Sequence, residues 1–560
     1  MTVMTNNIDW WRTASIYQIY PKSFCDSGAK GTGDLLGIIT KLDYLKLLGV
    51  DAIWLTPIYA SPMIDNGYDI ADYYAINPDF GSMADFELLL EQLHLRDMRL
   101  IMDIVVNHTS TEHHWFQSAL KDRNSPYRDY YIWQDAKDGE APNNWLSKFG
   151  GSAWQWDESS EQYYLHLFAK EQADLNWENP QVREEVKKII SFWAEKGVDG
   201  FRLDVINLIS KQQDFPNDDQ GDGRRFYTDG PRVHEYLQEI SRDVFQYYGS
   251  VTVGEMSSTT LEHCQQYSAL DGSELSMVFN FHHLKVDYPQ GEKWALAPFD
   301  FVGLKKIFSH WQCGLHCKGW GALFWCNHDQ PRIVSRLGND GAYRELSAKM
   351  LATSLHMMQG TPYIYQGEEL AMTNPHYQDL SQYRDVESLN MYKIMVHQQG
   401  IEPTTMLNIL AEKSRDNSRT PMQWSDTLHA GFSKEQPWID VADNYQLINA
   451  EQAIKDPNSV FYFYQRLIEL RKTVSIITDG DFLDLCPEHP QLFCYLRQAN
   501  GQHLLCINNF YDKQVKFELP ENIDVSEGRV LLGNYDDWQS QTIQSSMLVR
   551  PYESRVILFN

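Results

Sequence analysis

One rhythm constrains this chain more than any other feature: strand-like and helix-like segments alternate through its first three-quarters. Apolar, strand-like runs occur at 15–21, 52–57, 99–108, 200–205, 251–256, 276–281, 322–327 and 361–366. Helical periodicity occupies 34–48, 84–97, 180–196, 231–247, 301–317 and 342–358. Strands separated by helices pair in parallel, because the crossover has to carry the chain back along the sheet. Eight such units suit a closed ring, so the fold class is α/β and the spacing predicts a (β/α)8 barrel. A doubly wound open sheet is the alternative. The glycine-rich dinucleotide fingerprint that often accompanies one is missing.

Two stretches break the rhythm. Residues 109–173, rich in Trp, Tyr, Asn and Gly, follow the third strand, on the face where barrel active sites lie. Long excursions at such places are more often functional than decorative. A second irregular region covers 373–449 and precedes a helical segment at 456–472. From about 477, short strands at 492–497, 503–508, 529–532 and 554–559 are split by turn residues, which reads as an antiparallel β-sandwich. The expected organisation is a barrel built from 1–108 and 174–475, an inserted domain at 109–173 and a C-terminal sandwich at 476–560.

Charge narrows the partners. The 560 residues carry a net charge of −28, which disfavours nucleic acid and anionic membrane as ligands. An anionic small molecule would need a locally basic pocket. No apolar run approaches the roughly 20 residues of a membrane span. Residues 1–11 lack the basic start and apolar stretch of a secretory leader. The eight cysteines are scattered. A cytoplasmic enzyme with free thiols is the expectation. Cys313 and Cys317 lie near His310 and His316, but at a spacing that fits no zinc pattern. The 17 Trp and 31 Tyr suit stacking on sugar rings, although many must serve the core.

The chemistry concentrates in Gly200-Phe201-Arg202-Leu203-Asp204-Val205. Residues two apart in a strand share a face, so Arg202 and Asp204 project together, opposite Phe201 and Leu203. Alone, this pair reads equally well as a structural ion pair. Glu255, at the end of Val251–Met256, and Asp329, in Asn327-His328-Asp329-Gln330, add two acids at the C-terminal ends of two more strands. Cleavage of a glycosidic bond with retention needs one carboxylate to attack and one carboxylic acid to protonate the leaving oxygen. Asp204, with Arg202 beside it to lower its pKa, fits the nucleophile. Glu255, between Val253 and Met256, has apolar neighbours that would hold its proton. Asp329 is the candidate for stabilising charge on the ring. His108 and His328 are candidate partners for sugar hydroxyls, or else satisfied core histidines.

Asp103-Ile104-Val105-Val106-Asn107-His108, the Gly200–Val205 segment, Gly254-Glu255 and Asn327–Gln330 resemble, in order, the four signature regions of the α-amylase family of glycoside hydrolases. Gln172-Ala173-Asp174-Leu175-Asn176 resembles a fifth region of its oligo-1,6-glucosidase group. The resemblance spans essentially the whole chain. It implies a barrel with a domain inserted after the third strand and a C-terminal sandwich. It also implies Asp204 as nucleophile, Glu255 as acid/base and Asp329 as transition-state stabiliser. Tyr68, Asp69, His108, Arg202, His328 and Arg415 resemble residues that hold the non-reducing glucose.

Val205 resembles members acting on α-1,6 and related linkages. The segments Asn143–Trp154 with Lys148, Asn280–Pro289 with His282, His283 and Lys285, and Gly223–Pro231 with Arg224 and Arg225 resemble members that act on trehalose 6-phosphate. That resemblance implies hydrolysis to glucose and glucose 6-phosphate, downstream of phosphorylating uptake. Lys148, Lys285, His282 and His283 are then the candidates for the phosphate, while Arg224 and Arg225 stay open. Phosphate carries about −1.5 to −2 charges near neutrality, and charge-assisted contacts to it are strong. Lysines are nonetheless mostly solvated surface residues. The loop at 26–34 has Lys30 where relatives usually carry aspartate and Gly28 where they carry asparagine, so no metal is expected there, and no cofactor elsewhere. The rival activities are an oligo-1,6-glucosidase or broader α-glucosidase, a transglycosidase, and a non-catalytic amylase-like subunit, which would usually lack the acids.

Overall fold

A computed structural model describes residues 9–521, 523, 527–540 and 544–560. Residues 1–8, on which most of the reading against a secretory leader rests, lie outside this set. The eight expected strands form one parallel sheet: β1 Ile16–Ile19, β2 Ala52–Leu55, β3 Arg99–Ile104, β4 Gly200–Leu203, β5 Val251–Met256, β6 Met277–Asn280, β7 Ala322–Leu323 and β8 Thr361–Tyr365. Their order is β6-β5-β4-β3-β2-β1-β8-β7. A parallel bridge between Val278 and Gly321, just ahead of β7, joins the two ends into a ring.

The two-residue period of each strand sorts the side chains. Trp54, Ile101, Val253, Met277, Phe279 and Tyr363 fill the interior with Trp11 and Trp320. Their neighbours Ile53, Leu100, Met102, Phe201, Leu203 and Val278 pack outward into the helical layer. β1 stops at Ile19, two residues short of the expected end, because Pro21 opens a tight helical turn. Surrounding helices start where the sequence signals them. Ser82 and Asp85 form a capping box for Met83–His94. Asn179 caps Pro180–Glu195, with proline at its first position. The helix expected over 34–48 is broken at Lys41, and that over 231–247 passes through a π turn at Ser241–Phe245. Leu261–Tyr267, between β5 and β6, was not foreseen: seven residues are too few to show a helical period, although Thr260 caps it.

After β3 the chain leaves and re-enters the barrel along a two-stranded ribbon, His108–Ser110 against Gln172–Asp174. Between these lie the helix His114–Lys121 and a small sheet of Trp133–Gln134, Gln162–Leu165 and Trp154–Asp157. A buried cation ties the ribbon to the barrel. Lys211 Nζ lies 3.0 Å from Asp174 Oδ2 and donates to Asn107 Oδ1 and the Leu208 carbonyl at 3.1 and 2.8 Å.

The C-terminal region is a sheet of β9 Asp481–Asp484, β10 Leu492–Ala499, β11 Gln502–Asn509, β12 Arg529–Gly533 and β13 Ser554–Phe559 in the order β9-β10-β11-β13-β12. A ribbon of Val515–Glu518 and Ser546–Val549 forms the second layer. Alternation divides the main sheet between two cores. Leu492, Cys494, Leu496, Leu505 and Ile507 face the ribbon, whereas Phe493, Tyr495, Leu504 and Cys506 join the core of the barrel helices.

Candidate active site

Asp103 and Arg202 are register partners on β3 and β4, so both project inward at one level. Asp204 follows β4, Glu255 lies near the end of β5, and Asp329 sits six residues beyond β7. Arg202, 1% exposed, joins three carboxyls. Its Nη1 donates to Asp103 Oδ1 at 2.7 Å and to Asp204 Oδ1 at 2.6 Å, and its Nη2 donates to Glu255. The Trp54 and Tyr68 rings lie against the guanidinium, at 5.2 and 5.8 Å. The chain turns sharply after Asp204: Val205 has φ 37° and ψ 40°, a left-handed conformation that costs a β-branched residue on the order of 1–3 kcal/mol.

A cavity of about 260 Å³ opens above this group, lined among others by Asp204, Glu255, Asp329, Tyr68, His108 and Arg415. Burial outweighs Arg202 in setting the acids. The Asp204 carboxyl is pushed up to about 7, with Arg202 pulling it down and Asp103 pushing it further up. That corrects the expectation of a lowered pKa beside Arg202: one guanidinium shared by three buried carboxyls does not offset their desolvation. Glu255 is pushed up to about 8 by burial, against Arg202, and lies within hydrogen-bonding reach of Asp204. Burial thus raises both carboxyls of this adjoining pair, Glu255 as well as Asp204. Asp329 goes the other way. Burial raises it, but His328, Arg415, Arg419 and Arg202 together hold it well below the carboxylate range. His328 is itself neutral above about pH 3, from burial. At neutrality the work thus falls to the arginines, Arg419 at 2.7 Å and Arg415 at 3.3 Å from Oδ1.

The expected sugar-holding residues separate into two levels. Tyr68, His108 and Arg415 line the cavity. Burial keeps His108 uncharged, with its pKa lowered to about 4. Arg202 and His328 lie beneath the lining. His328 stacks on Tyr68 with centroids 5.2 Å apart and planes at 2°, and its Nδ1 is fixed by Gln18 at 2.8 Å. Asp69 is a correction. Its carboxylate accepts the Ile64 and Asp65 backbone N–H groups at 2.9 and 3.0 Å, which turns it into its own loop and away from the cavity. Asp65 takes the place foreseen for it, receiving Arg415 Nη2 at 3.0 Å and Gln172 at 3.2 Å. Asp65, Gln172, Phe149, Phe168, Lys293 and Glu387 line the cavity too and were not singled out in the sequence. Gln172 lies in the Gln172–Asn176 motif and Phe149 in the Asn143–Trp154 segment; the others carry no local signal.

The basic candidates also divide. Lys148 and Lys285 line the cavity, and among the described residues neither has a carboxylate at ion-pair distance. The Lys148 ammonium is lowered to about 8 by burial and by Arg224 and Lys285. Lys285 is exposed at the rim; desolvation and Arg224 lower it. His282 and His283, expected to hold phosphate, do not line the cavity. His283 Nε2 donates to the Phe324 carbonyl, 2.8 Å away, and His282 packs on Trp311. Burial lowers them to about 3 and about 4 respectively, so neither carries charge at neutrality. In the 26–34 loop, Asp26 accepts the Gly28, Lys30 and Gly31 N–H groups and Asp34 accepts those of Ser27 and Gly37.

An eight-stranded parallel barrel whose C-terminal mouth holds adjoining buried carboxyls around one guanidinium is the framework of a glycoside hydrolase. The model of the alpha amylase catalytic domain matches residues 18–480, and that of the alpha-amylase SusG C-terminal domain matches 492–556. The chain belongs to the alpha-amylase family of glycoside hydrolases. It is 60% identical over 556 residues to the trehalose-6-phosphate hydrolase of Bacillus subtilis, covering 99% of this chain and 98% of that one. It is 51% identical over 555 residues to an oligo-1,6-glucosidase of Halalkalibacterium halodurans, covering 98% and 99%. The crystal structure of Bacillus licheniformis trehalose-6-phosphate hydrolase superposes with a TM-score of 0.94 at 59% identity, over 98% of this chain and 99% of that one. Among the described residues no helix is long and apolar enough to cross a membrane.

Proposed function

We propose that this enzyme hydrolyses trehalose 6-phosphate to glucose and glucose 6-phosphate with retention, in the cytoplasm. The observation that carries the reading is the pairing, within one cavity, of the Asp204–Glu255 dyad with Lys148 and Lys285, which have no carboxylate at ion-pair distance among the described residues. In a protein of net charge −28, unpaired cations beside a reaction centre suit an anionic leaving group. The unphosphorylated glucose lies deep, toward Tyr68, His108, Asp65 and Arg415. The phosphorylated glucose lies outward, toward Lys148 and Lys285.

In the first step Asp204 attacks the anomeric carbon of the deep glucose while Glu255 gives its proton to the bridging oxygen. The glycosidic C–O bond breaks and glucose 6-phosphate leaves, with the glucosyl group esterified to Asp204. In the second step Glu255, now ionised, takes a proton from water, and the water oxygen displaces Asp204 to release glucose. Asp329, kept ionised by Arg415 and Arg419, faces the positive charge that builds on the ring. Arg202 orients both carboxyls without touching sugar.

A panel of trehalose 6-phosphate, isomaltose and p-nitrophenyl α-glucoside tests the reading. A kcat/KM for trehalose 6-phosphate at least tenfold above that for isomaltose is expected. The reverse order would make the enzyme an oligo-1,6-glucosidase. Asp204→Asn is expected to abolish turnover of all three substrates while the fold, checked by circular dichroism, stays intact. Wild-type-like turnover in this variant would remove its assigned role.

A further inference from the structure

The loops that present Lys148 interlock. Asn144 Oδ1 accepts the Asp218 N–H and its Nδ2 donates to the Asp218 carbonyl, both at 2.7 Å. Trp145 Nε1 donates to the Pro216 carbonyl at 2.8 Å, and the Leu146 N–H donates to the Asp222 carbonyl at 3.0 Å. Gly223 has φ +89°, and a Cβ there would fall 2.3 Å from the Trp145 ring, so the backbone closes tightly on this tryptophan. The next residue, Arg224, opens the short turn Arg224–Phe226. Phe226 stacks on Trp145, with planes at 9°. Tyr227, whose N–H donates to the Arg224 carbonyl at 3.3 Å, lies under Lys148, its ring centre 5.3 Å from Nζ. Arg224 is thus built onto the platform that supports Lys148.

Its side chain remains half exposed. The guanidinium pairs with Asp222, Nη2 to Oδ2 at 2.8 Å, and lies within hydrogen-bonding reach of the Tyr227 side chain. Its charge reaches both Lys148 and Lys285. Arg225, next in sequence, points elsewhere and is bound to Asp218 and Asp219 at 2.9 and 2.5 Å. We infer that Arg224 is a specificity-determining residue, a third cation for the phosphoryl group that exchanges Asp222 for phosphate oxygens when substrate binds. The inference rests on the trehalose 6-phosphate reading. Asp222 serves as the resident partner, keeping a third cation from repelling the two lysines. A planar, two-pronged guanidinium suits a phosphate better than a third ammonium would.

Steady-state kinetics of wild type, Arg224→Gln, Arg225→Gln and Asp222→Asn on trehalose 6-phosphate and p-nitrophenyl α-glucoside test this. Arg224→Gln is expected to raise KM for trehalose 6-phosphate about tenfold or more, the size of one charge-assisted bond. Its kcat, and both constants for the aryl glucoside, should stay within about twofold. Arg225→Gln should leave both substrates unchanged. Asp222→Asn should leave KM for trehalose 6-phosphate equal or lower. Equal losses on both substrates in Arg224→Gln, no loss in it, or the same rise in Asp222→Asn would each overturn the inference, the last by making the pair a mere loop support. A wild type indifferent to the phosphate removes the functional reading and this inference together. A wild type that prefers it, with Arg224→Gln unaltered, removes the inference alone.

Discussion

On the proposed mechanism, Glu255 and Asp204 govern the pH range of the free enzyme. Asp204 must be ionised to attack, so activity falls as pH drops through about 7. Glu255 must be protonated to help the leaving group, so activity falls as pH rises through about 8. The dyad is expected to give a narrow bell in kcat/KM with apparent pKa values near these two. A plateau from pH 5 to 9 on p-nitrophenyl α-glucoside would contradict it. As the proposed phosphate ligand, Lys148 is expected to add an ionisation seen with phosphorylated substrate only. An ammonium lowered to about 8 is charged below that pH and lost above it, so the alkaline limb should be steeper for trehalose 6-phosphate than for the aryl glucoside. Lys148→Met should abolish that difference. At this scale the acids and Arg202 were legible, because charges inside an apolar two-residue period announce themselves. Asp65 was not: the run Asp65-Asn66-Gly67-Tyr68-Asp69 offers two equivalent carboxylates, and only the folded turn decides which one accepts backbone N–H groups.

Between elements, the clearest device is the clamp of Lys211 on Asp174 and Asn107. Asp174 and Lys211 are both buried, and Asp174 also accepts the Leu167 N–H at 3.0 Å. Lys211→Met leaves a buried carboxylate without its cation, a loss of about 3–5 kcal/mol. Hydrogen exchange in 108–174 is expected to quicken well beyond that in β1–β8. The double variant Lys211→Met/Asp174→Asn should recover part of the loss, and no recovery would show that the pair is not the clamp. The sequence named Asp174 within a motif, yet Lys211 lies 37 residues further on, and a buried lysine has no local signature. Long helices and the barrel strands were legible through period and capping. Leu261–Tyr267 and the ribbon of Val515–Glu518 and Ser546–Val549 were too short for a period to stand out.

Over the whole molecule, one apolar core runs from the barrel helices into the C-terminal sheet. Phe308 stacks on Phe493 at 6.0 Å, and the Tyr495 hydroxyl donates to the Ser354 carbonyl at 2.9 Å. Lys305 Nζ, buried, donates to the carbonyls of Cys486, His489 and Leu492 at 2.6, 2.7 and 3.0 Å. Unfolding the sheet alone would strand this cation and expose the helices. Calorimetry is therefore expected to show a single cooperative transition, and a chain ending at 480 should fail to accumulate as folded protein. Two resolved transitions would refute the shared core.

Sequence alone determined the eight strands, most of the helices between them, and which acids stand near the strand ends, since these follow from local period and from the high free energy of placing charge in an apolar run; closure into a ring needed the Val278–Gly321 bridge. Folding decided the rest. It shifted the acids through desolvation, turned Asp69 into its loop and Asp65 toward the cavity, packed His282 and His283 away from the cavity as neutral rings, and set Arg224 on the loop that supports Lys148. Those outcomes depend on solvent exclusion and on contacts between segments far apart in the chain, and neither quantity exists until the chain closes on itself.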